Sequence, residues 1–219
     1  MSNRRFKDLT AGMTGKEKLE YLWTYYKWVL LVAVFAAMVI AMVVTAVINN
    51  RTKYLYSGAL VNVTPSEYAQ TYLFEQWGEE LGKNGKFETV NMTVISFGDL
   101  YSSTNEVEAI NAMRIPAMVA AGDLDYVITD NIGYNFYINH PVFSPLDTIF
   151  SPEELEQIDL PLIFDQEGVH PIAFDITSTA LAQDCFTRGE AIYLAFPGNS
   201  ERTTHDFAFL TYLLGYAPQ

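Results

Sequence analysis

The candidate chemistry of this sequence sits where apolar runs end in polar residues. Asn62 and Thr64, then Asp99, then Asp130 and Asn131, and finally Asp175 and Thr177 each close a run of β-forming residues. If those runs lie side by side, their ends meet on one rim, and three carboxylates there suit a small polar or cationic ligand. The same residue types cap helices and make turns, which accounts for them without a ligand. The two readings differ in whether the rim groups are left free.

Catalytic patterns are weaker. His140, His170 and His205 are isolated, and none falls in a metal-binding spacing, so each reads as a surface or structural residue. The single cysteine, Cys185, has no local signature of a nucleophile and reads as a small buried thiol. There is no phosphate loop, no nucleophile elbow and no CxxC, and the acidic pairs Asp123/Asp125 and Glu153/Glu154 lack a calcium-loop pattern. Asp123 and Asp125 read as turn charges. The expectation is a non-enzyme with no cofactor and no metal.

The elements that would position the rim follow from periodicity. Leu55, Ala59, Val61 and Val63 suit a strand, and Thr64-Pro65 then opens a helix with Thr64 as N-cap and Pro65 at its first position. Tyr68, Tyr72, Leu73, Trp77 and Leu81 give that helix an apolar face, and Gly82 to Gly85 end it. Val90–Phe97 is a second strand, Glu106–Ala121 a helix kinked or restarted at Pro116 and closed by Gly122, and Leu124–Thr129 a third strand. A short aromatic helix follows between Asp130 and His140, and Ser151-Pro152-Glu153-Glu154 starts another.

The pattern dissolves between Leu160 and Val169. His170–Ile176 and Glu190–Phe196 supply two more strands, and Ser200–Leu214 is a last helix ending at Gly215. Alternation of strand and helix predicts an α/β fold: one mostly parallel sheet with helices on both faces, three layers in all.

Before this domain runs Val29–Ile48, VLLVAVFAAMVIAMVVTAVI, without a charge, Gly or Pro. A helix that long spans about 30 Å, the thickness of a bilayer core. The chain therefore divides into a juxtamembrane segment, 1–28, a transmembrane helix, 29–48, and an α/β domain, 49–219. Tyr21, Trp23, Tyr25, Tyr26, Lys27 and Trp28 precede the span, where amphipathic rings and a snorkelling lysine sit at the interface with the lipid bilayer. A cleaved signal peptide is the competing reading, but the apolar run is longer than such signals carry.

Charge orients the anchor. Residues 1–28 hold six basic and three acidic groups, while the rest of the chain holds seven basic and 23 acidic ones. Basic residues beside a span favour the cytoplasm, which places the N-terminus inside and the large domain outside a cell membrane. An acidic domain with no basic stripe repels phosphate backbones and excludes nucleic acid as partner.

The stretch from Ala109 to Leu155, with Gly122-Asp123, Asp125-Tyr126-Val127-Ile128 and Pro145-Leu146-Asp147 in that order, resembles the first lobe of type II extracellular solute-binding proteins of bacterial ABC transporters. HPIAFDIT resembles the strand that returns to that lobe, and FPGNSERTTHDFAFLTYLL the closing strand and helix, with Asn199 or Ser200 as its cap. The whole chain is similar to uncharacterised single-span proteins of Gram-positive bacteria. The resemblance implies a periplasmic-binding-protein-like domain, a small-molecule ligand and an ABC transporter permease as partner. Only about fifteen residues separate Ile158 from Ile172, where that family inserts its second lobe, so clamshell closure cannot operate within this chain. The expectation is a tethered recognition or accessory subunit, or else an assembly protein whose span and juxtamembrane helix make the specific contacts.

Overall fold

In the computed structural model, residues 12, 14–49, 53–83, 87–98, 100, 105–140, 142–187 and 191–216 are described. The chain divides into two units, 1–52 and 53–219. The first is a helix, α1 (Gly15–Asn49), begun by Thr14, whose amide and hydroxyl both donate to the Glu17 carboxylate at 2.7 and 2.9 Å. Its segment Lys27–Val47 is long and apolar enough to cross a membrane, and none of its described side chains is buried.

The second unit opens with β1 (Lys53–Val61) and a two-residue strand, β2 (Thr64–Pro65). Thr64 is therefore not the expected N-cap. Thr64 and Pro65 pair with a later strand, and Ser66 caps instead, accepting from the Ala69 amide at 3.1 Å. The helix that follows comes in three pieces: α2 (Glu67–Gln70), a π-helical stretch (Thr71–Gln76) and α3 (Trp77–Glu80). In an α-helix residues five apart point roughly 140° apart, but wider π turns bring them onto one face. Tyr72 and Trp77 thus face the core together.

Next come β3 (Glu88–Ile95) and α4 (Glu106–Ala120). Pro116 interrupts the ladder of α4 without ending the helix. A proline cannot donate to the carbonyl four residues back, and that carbonyl, Ala112, accepts the Tyr137 hydroxyl at 2.9 Å instead. Gly122, at φ +70°, closes the helix and leads to β4 (Tyr126–Asp130). There follow α5 (Asn131–Tyr137), α6 (Leu146–Ile149) and α7 (Pro152–Gln157), the last begun by the full Ser151/Glu154 capping box.

The stretch without a pattern contains a strand, β5 (Leu162–Phe164), which a turn held by the Asp165 carboxylate joins to β6 (Pro171–Asp175). Then come α8 (Ala180–Cys185), β7 (Phe186–Thr187), β8 (Ile192–Ala195), a 3-10 turn (Thr203–His205) and α9 (Asp206–Leu214). Neither resemblance-derived cap serves α9. Asn199 donates to the Val119 carbonyl, and the Ser200 hydroxyl donates to Asp125.

The sheet runs β3-β1-β4-β8-β6-β5. Its β3-β1-β4 half is parallel, as expected, but β8, β6 and β5 pair antiparallel, so the sheet is mixed rather than mostly parallel. Short turns can join antiparallel neighbours, whereas a parallel pair needs a crossover. Helices cover both faces, and the two-residue period of each strand decides what they meet. Tyr56, Leu60, Tyr126 and Ile128 pack with Leu73, Trp77, Phe209 and Leu213 on one face; Ala59, Val61 and Val127 pack with Ala112, Ile115 and Val119 on the other. Gly58 permits the first packing, since a Cβ there would stand 2.0 Å from the Tyr126 ring.

Candidate functional site

The strand ends do form a rim. β1, β3, β4 and β6 all point the same way, and Asn62, Asp130, Asp175 and Thr177 sit at that end. Asn62 organises its first half from a left-handed backbone conformation, φ +56°. Its amide donates to Ile95, its side-chain oxygen accepts from the Phe97 amide at 2.8 Å, and its side-chain nitrogen donates to Asp130 at 3.1 Å. Three strand ends are tied through one residue.

Asp130 caps α5, its Oδ1 accepting from the Gly133 amide at 2.8 Å as well as from Asn62. On the other half, Asp175 Oδ1 accepts the Thr177 amide at 2.9 Å together with the Thr177 hydroxyl. The same hydroxyl oxygen accepts the Ile192 amide at 2.9 Å, at the start of β8. Asp130 and Asp175 lie opposite Ile192 and Tyr193 from either side of that strand, so two strand spacings, about 10 Å, separate them. Beside them Tyr193 has its hydroxyl pKa raised by burial and by the Asp175 charge.

The remaining rim candidates do not join this cluster. Thr64 is exposed and engaged through β2, and Asn131 is exposed on α5, accepting from Asn135 at 3.2 Å. Asp99 lies outside the described residues. Of the interfacial set, Trp23 and Trp28 are 67% and 71% exposed and Lys27 is exposed, while the side chains of Tyr21, Tyr25 and Tyr26 lie outside the described residues. Among the described residues no group of His, Cys, Asp and Glu is arranged to hold a metal. His140 meets the Phe136 carbonyl, His170 meets Asp147 at 3.2 Å, and Cys185 is buried.

At the opposite end of the sheet lies a buried polar cluster that residue patterns did not single out. Asp125, fully buried as a side chain, accepts the Ser57 amide at 2.6 Å, the Ser200 hydroxyl, and Arg202 Nε at 2.8 and 3.0 Å. It is no turn charge but one half of an ion pair linking β1, β4 and the approach to α9. Beside it the Tyr56 hydroxyl donates to Asp206 Oδ1 at 2.6 Å. Burial above all, with the Asp125 charge adding, pushes the Asp206 carboxyl up to about 7. Asp206 Oδ2, Tyr126 Oη and Trp77 Nε1 are buried without a hydrogen-bond partner. All three belong to residues that touch Tyr56.

One sign of this cluster was available. In DFAFLTYLL the buried positions 206, 209, 210 and 213 follow helical spacing, which puts an acid on the apolar face of α9. At the rim, then, Asn62, Thr177 and one oxygen each of Asp130 and Asp175 are bonded internally, and the opposite end holds charge inside the core. Comparison with known protein families, with curated proteins and with solved structures gives no match for this chain.

Proposed function

We propose that the protein is a membrane-tethered accessory subunit whose extracytoplasmic domain serves a membrane-protein partner of the ABC permease kind, with the N-terminus in the cytoplasm. The observation that carries this reading is the pairing of a bare apolar helix with a separately packed α/β unit. Tethering such a unit raises its effective concentration at a partner without adding contacts. The order of α4, the Gly122-Asp123 turn, β4 and the Asp130-capped α5 supports kinship with a single solute-binding lobe.

A small-molecule role at the rim has less support, because Asn62, Thr177 and one oxygen each of Asp130 and Asp175 are already engaged within their own halves of the rim and with nearby amides. That same observation favours the second reading, an assembly protein acting through its span. The two separate in one experiment, purification from the native cell in mild detergent. For an accessory subunit, the membrane partner stays bound when residues 14–48 are replaced by an unrelated span and is lost when the outer domain is removed. For an assembly protein the pattern reverses. Recovery of no membrane partner sinks both.

A further inference from the structure

The sheet ends in two edge strands, β5 and β3. β5 is three residues long, whereas β3 runs for eight, and among the described residues no strand pairs with its outer side. Its inner side is fixed by β1. The Lys53 amide donates to the Phe87 carbonyl at 2.7 Å and the Asn62 amide to the Ile95 carbonyl at 2.8 Å, so the odd positions of β3 bond to β1. Alternation then turns the amides and carbonyls of Val90, Met92 and Val94 outward. The Val90 carbonyl accepts the Thr89 hydroxyl at 3.1 Å and keeps a second lone pair.

Proteins keep strand edges apart with Pro, Lys or a bulge. β3, ETVNMTVI, has no Pro, Lys or Arg, and its single charge, Glu88, stands at its start. The one irregularity in its pairing falls on β1, between Tyr54 and Tyr56. Val94 is 50% exposed and Met92 half-buried.

This edge is complementary to itself. Antiparallel pairing about a two-fold at Met92 sets Met92 against its own copy, Val90 against Val94 and Asn91 against Thr93, with outward groups meeting outward groups throughout. Glu88 falls opposite Ser96, so no like charges face each other. Moving the two-fold one position, to Asn91, would set Glu88 against Val94 instead. The junction is about 27 Å long and about 10 Å thick, which buries a few hundred Å² per copy, short of the roughly 800 Å² that stable free partners bury. Holding both copies in one membrane supplies what the area lacks.

We infer that β3 is a pairing edge for a second copy of this chain, joining two domains into one continuous sheet. The inference rests on the anchored reading of α1 and not on the identity of any membrane partner.

The test reconstitutes the intact chain in phosphatidylglycerol vesicles, checks by flotation that it travels with them, and reads disulfide-linked dimer after mild oxidation. A mixture of Asn91→Cys and Thr93→Cys chains is expected to give about tenfold more dimer than either variant alone, because opposite positions lie about 4.5 Å apart and diagonal ones about 7 Å or more, beyond disulfide reach. The parent chain, whose one cysteine, Cys185, is buried, should give none. Val94→Pro, which removes an outward amide, and Val94→Lys, which sets a charge at an exposed edge position, should each bring the mixture down to the level of the single variants. A chain that does not float with the vesicles overturns the anchored reading and the pairing with it. A chain that floats, but whose mixture cross-links no better than Asn91→Cys alone or whose cross-linking survives both Val94 substitutions, overturns the pairing and leaves the anchor standing.

Discussion

The two ends of this sheet solve the same problem in opposite ways. At the rim, Asn62, Asp175 and Thr177 are part-exposed and Asp130 is buried, and they bond to amides close by in sequence or in the next strand, as Asp175 does to Thr177 and Asp130 to Gly133. At the other end Asp125 and Arg202, and Tyr56 and Asp206, meet inside the core across long stretches of chain. Local capping gives each of these carboxylates its partner from a neighbouring amide. A buried charge is held only by its partner, and its loss is felt in full. The rim therefore tolerates change, while the opposite end specifies which segments meet.

The comparison breaks most sharply at Arg202. Replacing Arg202→Met leaves the Asp125 carboxylate buried with its Ser57 and Ser200 contacts alone, and should cost about 3 kcal/mol or more in denaturant unfolding of the intact chain in detergent. A loss below about 1 kcal/mol would mean that water reaches Asp125 after all.

Asp206 gives the next effect, read through pH. Its folded carboxyl titrates at about 7 against 3.8 for the ordinary group, so the folded state holds its proton where the unfolded chain has lost it. The contribution of this group to stability is then greatest below about pH 4, falls as pH rises towards 7, and levels off above; three pH units correspond to at most about 4 kcal/mol. Asp206→Asn, which keeps an acceptor for Tyr56, should flatten that slope. An unchanged slope in the variant would assign the titration elsewhere.

The rim supplies the smallest effect. Asn62→Ala removes two side-chain bonds and puts a Cβ-bearing residue without local hydrogen bonds at φ +56°, for a loss of about 1 to 2 kcal/mol. Asn62→Gly, which accepts that backbone conformation freely, should recover part of the loss. If Asn62→Ala cost as much as Arg202→Met, the contrast between the two ends would disappear.

What could be read from the residues follows the same division. Capping is local, so the Ser151/Glu154 box, the Asp130 cap of α5 and the Gly122 terminus were visible in short stretches of chain. The apolar span was equally plain. Pairing between distant segments was not. Nothing local distinguishes Thr64-Pro65 as a helix start from Thr64-Pro65 as a strand that Phe186 and Thr187 complete. β5 is three residues long and half exposed, too short for alternation to register. The change from parallel to antiparallel at β8 depends on where the chain returns from, which no window of residues contains. Asp125 in LDYVIT looked like a turn charge because its partner lies 77 positions away.

The π-helical stretch between Gln70 and Trp77 has a bearing on how such a chain could change over time. It lets one helix present Tyr72 and Trp77 to the same neighbour, Tyr212, though a regular α-helix would turn them apart. Deleting a single residue between Tyr72 and Trp77 would restore regular winding and leave the two rings four positions and about 40° apart, so everything beyond would keep nearly its present facing. Trp77 would still face Phe209, with every remaining side chain unaltered. In this helix the widened turn is the place where the chain can gain or lose one residue without rewriting the surface on either side.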